Sequence, residues 1–272
     1  MEKLITLGRT VTGENVKFSP VQGHTLLTGR TRSGKSVQVY TMFCQLKELS
    51  VRIVGIDPTG ILFNCLGDFP GYDQRVLTLK EPEKAKSVMA SIVAEMDERI
   101  CLLLSKKLDK FTEFSSEFPA IICVLEEYPG TLAALRSIDE ANGNKGNARI
   151  ETQIRANIQR IALEGAKCGI FLWIIAQRAD SSLLTGVLRS QLVNRLSFAQ
   201  DPDGLRMLHE SITPEQIEMA QYFRPGQAFA ELVNHPGLIQ YRSDICTYQQ
   251  LMNIFNFRES KEVNGASSSE TV

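Results

Sequence analysis

The sequence predicts an α/β fold built on a mostly parallel, doubly wound sheet flanked by helices. Three observations carry this. Four short apolar runs, TLLTG (25–29), VRIVGID (51–57), AIICVLE (120–126) and GIFLWIIAQ (169–177), are β-branched or aromatic and do not alternate with polar residues. Strands buried on both faces read this way. Helical stretches separate the runs, as in successive β–α–β units. A basic, glycine-punctuated turn, GRTRSGKS (29–36), stands between the first run and the first helix.

That first helix is expected from Ser36 to Leu49. The second, Glu83 to Lys106, places Ala85, Val88, Met89, Ile92, Val93, Met96, Ile100 and Leu103 at three-and-four spacing, the signature of one buried stripe. A third helix spans Ile150 to Ala166 and stops near Gly165 and Gly169. Just before it, EANGNKGNAR (140–149) reads as a mobile loop. RLSFAQ (195–200) and QAFAELV (227–233) are further strands, with QYR (240–242) returning as a hairpin. The C-terminal part therefore adds β-hairpin-like elements to the parallel sheet. Residues 1–20 read as a β-like lead-in and 21–258 as one domain. Residues 259–272 carry Gly, Ser and charge without periodicity and are expected to be a disordered tail.

Composition narrows the function classes. Of 272 residues 43% are hydrophobic and 22% charged, which suits a globular protein with a sizeable core. The net charge of -1 excludes overall basicity, so any nucleic-acid contact must come from a local patch. The apolar runs fall well short of a membrane span, and MEKLITLGRT lacks a signal-peptide core. The expected location is cytoplasmic. The six cysteines form no C-x-x-C pair and read as reduced thiols. His24, His209 and His235 are far apart, so no metal site made by side chains alone is expected.

The turn carries the chemistry. Gly29, Arg30, Thr31, Arg32, Ser33, Gly34, Lys35 and Ser36 fit GxxxxGK[ST], and Val37 continues into the helix. Such a loop points successive backbone N–H groups at phosphate oxygens, with glycines permitting the conformations required. Lys35 reaches the β- and γ-phosphates and the Ser36 hydroxyl coordinates Mg²⁺, so ATP and Mg²⁺ are the expected cofactors. AIICVLEEYPG then ends a strand in two acids. Glu126 is placed to hold the water shell of Mg²⁺ and Glu127 to polarise the attacking water. Gln177, ending the strand GIFLWIIAQ, is a neutral amide able to bond both the γ-phosphate and that water. Arg32 sits where a third glycine is common in such loops. Arg30 and Arg32 either favour the nucleotide electrostatically or face a neighbouring subunit.

From about Thr25 to Tyr241 the chain resembles the FtsK/SpoIIIE family of DNA-translocating ATPases, a branch of the RecA-like and HerA-like motors. GRTRSGKSV, VGIDPTG and VLEEYPG carry the resemblance, together with GIFLWIIAQRADSSLLTGVLRSQLVNRLSF, DPDGLRML and RPGQAFAEL. It implies a RecA-like P-loop fold and a homo-oligomeric ring, usually of six subunits, around double-stranded DNA. Lys35 and Ser36 carry over as phosphate and Mg²⁺ contacts, Glu126 and Glu127 as the paired acids, and Gln177 as the sensor. Glu126 stands where the family usually has Asp. Arg195, in VNRLSF, matches the position expected to supply an arginine finger to the neighbouring γ-phosphate. Two loops would face the channel, one with Lys145 and Arg149 and one from Arg178 to Arg189; phosphate contacts there give a sequence-independent grip. The motor is followed by too few residues for a DNA-orienting winged-helix domain, so transfer of a plasmid, integrative element or phage genome is expected, with possible recruitment by other proteins. Two other readings stay open: a related ring driving protein secretion, and a nucleotide-dependent binding module of low turnover.

Overall fold

The computed structural model describes residues 4–179 and 184–255. The chain opens with a hairpin, β1 (Ile5–Thr10) and β2 (Asn15–Phe18), followed by β3 (Thr25–Thr28) and α1 (Lys35–Leu46). Next come β4 (Val51–Ile56), a short α2 (Ile61–Asn64), β5 (Arg75–Val76) and α3 (Pro82–Lys106). The middle holds β6 (Ala120–Leu125), α4 (Tyr128–Ala141), α5 (Ile150–Glu164) and β7 (Ile170–Ala176). After α6 (Gly186–Gln191) and β8 (Asn194–Phe198) lie α7 (Pro202–Leu208) and α8 (Pro214–Gln221). A hairpin of β9 (Gln227–Leu232) and β10 (His235–Ser243) leads to α9 (Tyr248–Phe255).

Ten strands form one sheet in the order β2-β1-β10-β9-β8-β3-β7-β6-β4-β5. From β8 to β5 every pairing is parallel. The other half is antiparallel. The parallel half is the predicted doubly wound sheet, and β7 shows why its runs do not alternate. Ile170, Leu172 and Ile174 enter the core under α3, α4 and α5. Phe171, Trp173 and Ile175 enter the other, against α1 and α9. Each such side chain contributes roughly 1.5–3 kcal/mol on burial, so both faces select apolar residues.

The predicted stripe of α3 is in place, with Ala85, Met89, Ile92 and Met96 fully buried. Pro82 starts the helix, and Lys107 ends it at φ 53, its N–H reaching the Leu103 and Leu104 carbonyls.

Two expectations are revised. Residues 5–18 are part of the sheet rather than a lead-in to it. Strand β1 pairs with β10, Gly8 opposite Ser243 and Thr10 opposite Tyr241, which covers an edge that the hairpin would otherwise leave open. The stretch 140–149 is anchored: α4 runs to Ala141, and the buried Asp139 carboxylate accepts from Asn144 Nδ2 and the Ile150 and Glu151 amides, each at 2.9 Å. One carboxylate thereby closes the turn and caps α5. The expected tail, 259–272, lies outside the described residues. Among the described residues no helix is long and apolar enough to cross a membrane.

Candidate nucleotide site

Strand β3 ends between β7 and β8, with Thr28 opposite Ala176 on one side and Ser197 on the other. The loop that follows therefore emerges among the C-terminal ends of parallel strands, where α/β sheets bind ligands. Gly29 has φ 149, and a Cβ there would stand 2.6 Å from Phe198 Cβ. Gly34 has φ 107, and its added Cβ would stand 2.6 Å from the Gly226 nitrogen. Both motif glycines are thus required by backbone angle and by space. The loop is held from the β8–β9 side: the Arg30 amide donates to the Ala199 carbonyl (2.8 Å), and the Gly226 amide to that of Ser33 (2.9 Å). This is the structural place of the RPGQ segment. Arg32 adopts φ 64, so it takes the left-handed turn expected of a glycine.

Gly34 caps α1 without a side-chain bond, and the first turn holds no acid. A helix start of this kind presents backbone N–H groups and the positive end of its dipole. Lys35 Nζ donates to the carbonyls of Gly29 and, at 3.2 Å, Arg30. Burial lowers its pKa, while Glu127 and Glu126 pull it back up. Ser36 is exposed at the first turn.

The acids arrive on β6, whose parallel neighbours are β4 and β7. The Glu126 amide donates to the Ile56 carbonyl at 2.9 Å, which fixes its position beside the β4 end. Its carboxyl is pushed up to about 7 by burial first, then by Asp57 and Glu127, against the pull of Lys35. Glu127 sits at φ 42 and ψ 52 as the cap residue of α4. A left-handed non-glycine residue costs roughly 1–2 kcal/mol, and such strain gathers at functional sites. Among the described residues only Arg32, Lys107 and Glu127 carry it outside glycine; Lys107 ends a helix, and the other two flank Lys35. Across the loop, Thr31 Oγ1 donates to Gln177 Oε1 at 3.4 Å. Folding thus brings Lys35, Glu126, Glu127 and Gln177 to one edge of the sheet.

Asp57 is a member of this site that the sequence reading did not assign. Fully buried at the end of β4, it accepts from Thr59 Oγ1 (2.8 Å) and the Thr59, Leu62 and Phe63 amides (3.0, 2.7 and 3.2 Å). It orders the DPTG turn and adds negative charge beside Glu126. The signal was an Asp followed by Pro-Thr-Gly after a strand, a turn-forming order.

The Arg195 guanidinium, expected to act as an arginine finger, is bound within its own chain. It donates to the carbonyls of Leu192 (2.9 Å), Arg189 (3.2 Å) and Leu208, with Glu231 Oε2 3.6 Å away. The alternation of β8 turns it toward α6 and α7, whose open carbonyls a planar fork of donors suits. Among the basic candidates, Lys145 is exposed and Arg149 donates to the Asn144 carbonyl at 3.3 Å. Arg178 is 3.6 Å from Asp201, and Arg189 lies on α6. Both α4 and α6 pack on α5, which places the 140–149 turn and the helix bearing Arg189 against one helix. The centre of the second loop, 180–183, lies outside the described residues.

The FtsK/SpoIIIE family model matches residues 2–181. The chain belongs to the FtsK/SpoIIIE family. Relatives in it include the DNA translocase FtsK of Helicobacter pylori, 26% identical over 202 residues, and that of Halalkalibacterium halodurans, 27% identical over 214 residues. These matches cover 71% of this chain but 22% and 25% of the relatives. The FtsK/SpoIIIE chain therefore spans about a quarter of their length. Its fold is that of solved RecA-like P-loop ATPases. The pCW3 conjugation coupling protein TcpA, in a monomer form with ATPγS, superimposes with TM-score 0.69 at 21% identity, covering 95% of this chain and 71% of that one. The cytoplasmic domain of the Thermomonospora curvata type VII secretion ATPase EccC gives 0.67 at 16% identity, covering 93% and 30%.

Proposed function

We propose that this chain is an ATP-hydrolysing motor that moves double-stranded DNA through a homo-oligomeric, six-subunit ring in the cytoplasm. The observation that carries the reading is the meeting of Lys35, Glu126, Glu127 and Gln177 at adjacent parallel strand ends, in a chain whose family includes DNA translocases. The residues fit a nucleotide with its divalent ion. Ser33 Oγ is buried in the loop without a partner among the described residues, and the helix start is open to an anion. Ser36 and, through water, Glu126 are hard oxygen donors of the kind Mg²⁺ takes. The ion would neutralise charge on the terminal phosphates.

Lys35 exchanges its carbonyl acceptors for phosphate oxygens when ATP enters. Glu127 accepts a proton from the attacking water, its backbone turn holding the carboxylate at the strand end. Gln177 orients that water and, through Thr31, reports the state of the loop. Arg195 ties α6 and α7 to β8 within one subunit. Lys145, Arg149, Arg178 and Arg189 are the proposed contacts to DNA phosphates. A role in transfer or packaging of a mobile element suits a motor whose fold is shared with a conjugation coupling protein, and other proteins would recruit it.

The test is ATPase activity with duplex DNA, single-stranded DNA and none, at low salt. Duplex should raise the rate most, and added salt should remove the effect. A rate indifferent to all DNA would overturn the DNA reading and favour a polypeptide cargo.

A further inference from the structure

Beneath the phosphate loop, on the side away from the acids, a line of polar side chains crosses the sheet. Gln200 Nε2 donates to Thr28 Oγ1 at 3.0 Å, and Thr28 Oγ1 lies 3.4 Å from Ser197 Oγ. Ser197 Oγ is 2.7 Å from His209 Nε2, and His209 Nδ1 is 2.7 Å from Glu231 Oε2. Thr28, Ser197, His209 and Gln200 are 0%, 0%, 1% and 5% exposed. Only Glu231 meets solvent substantially.

The Ser–His–Glu spacing is that of a hydrolase triad, but both the hydroxyl and the imidazole are buried, so no substrate reaches them. Donor and acceptor capacity shows a different order. The Glu231 carboxyl, held below its usual range chiefly by the hydrogen bond from His209, is an acceptor. With its Nδ1 donating to Glu231, the imidazole can take the Ser197 hydroxyl at Nε2. Ser197 accepts from Thr28, and Thr28 from Gln200. One direction runs from Gln200 to Glu231, with only Gln200 Oε1 left without a partner among the described residues of the line.

Its upper end lies where the loop begins. Thr28 is opposite Ser197, Gly29 rests on Phe198, and the Arg30 amide is held by Ala199. The seating of the β3 end against the β8 end therefore sets where the loop amides point. Buried polar lines add little net stability compared with apolar packing and best explain themselves by fixing one arrangement. We propose that Ser197 and His209 are positioning residues for the phosphate loop: anchored on Glu231 of β9, they lock the end of β3 to β8 so that the loop is shaped for a nucleotide before one arrives. This rests on the nucleotide-site reading above.

The experiment measures ATPγS affinity by calorimetry and steady-state ATPase kinetics on the wild type and on Lys35→Ala, Ser197→Ala, His209→Phe and His209→Gln. Ser197→Ala and His209→Phe should each weaken ATPγS binding about five- to tenfold, the size of one hydrogen bond. KM should rise by the same factor with kcat nearly unchanged, as for lost uniform binding. The two changes should be non-additive in the double variant. His209→Gln should recover most of the affinity, because its amide both donates to Glu231 and accepts from Ser197. Ile154→Val in the core of α5, of lowered stability but remote from the line, should leave affinity unchanged. If folded Ser197→Ala and His209→Phe bind like the wild type while Lys35→Ala does not, the positioning role is overturned and the nucleotide site stands. If the wild type fails to bind as well, both fall. Should His209→Phe not fold, Ser197→Ala, which removes a single oxygen, decides alone.

Discussion

On the β6–β7 flank of the phosphate loop, two carboxylates and an ammonium crowd together: Glu126 is pushed up to about 7, Lys35 is lowered, and Glu127 is turned left-handed. On the β8–β9 flank, Arg30 and Ser33 are held by backbone bonds to Ala199 and Gly226, and the side chains behind them form a buried hydrogen-bonded line that ends on Glu231. The first flank is uncomfortable and the second is rigid. The difference is a division of labour. Charges that must be ready for a polyanion repel or desolvate one another in its absence, and such groups keep their places only when the surroundings over-determine them. The braced flank supplies that constraint.

Lys35→Ala should break the charged flank most severely. ATP affinity should fall about a hundred- to a thousandfold, measured by calorimetry, since a charge-assisted phosphate contact in a partly buried site is lost. Equal affinity would remove the nucleotide from this flank. Glu127→Gln should separate binding from chemistry. ATP should still bind, while turnover falls about a hundredfold, the usual contribution of a positioned general base. Single-turnover hydrolysis checks this.

Gly34→Ala probes the braced flank. The new Cβ would meet Gly226 backbone at 2.6 Å in a φ 107 conformation, and neither side is a flexible side-chain end that can swing away. Unfolding free energy from urea denaturation should drop about 2–3 kcal/mol. A neutral result would show the contact with the RPGQ turn to be dispensable.

The smallest effect concerns pH. In chelator, without nucleotide, Glu126 has a folded pKa of about 7 against an ordinary value of 4.5. The folded state then binds more protons than the unfolded state between these values, so stability falls as pH rises through that window and levels off above it. Glu126→Gln should flatten this slope and raise stability at pH 8 by on the order of 1–2 kcal/mol, read from thermal and urea melts. A variant no more stable than wild type at pH 8 would mean that the charged flank carries no electrostatic cost.

Much of this was legible before folding. The four core strands, the α3 stripe and the motif glycines announce themselves within a few residues, because their signals are periodicity and a backbone angle. Glu126, Glu127 and Gln177 were singled out from strand ends read together with the phosphate-loop motif, since parallel strands bring their C-terminal ends to one edge. Asp57 was harder, as its role depends on Glu126, sixty-nine positions away in sequence but adjacent across β4 and β6. The segment 140–149 misled because a loop rich in Asn and Gly resembles any other until Asp139 is seen to gather its donors.

By itself the sequence determined the parallel α/β core, the GxxxxGK[ST] loop and the standing of Glu126 and Glu127 at a strand end, because each depends on spacing along the chain. Tertiary structure alone decided that β1 and β2 complete the far side of the sheet, that Arg195 is bound to its own chain, and that His209 reaches from Glu231 to Ser197. A strand edge, a guanidinium and an imidazole take their roles from the groups that face them. Those groups are chosen by the fold.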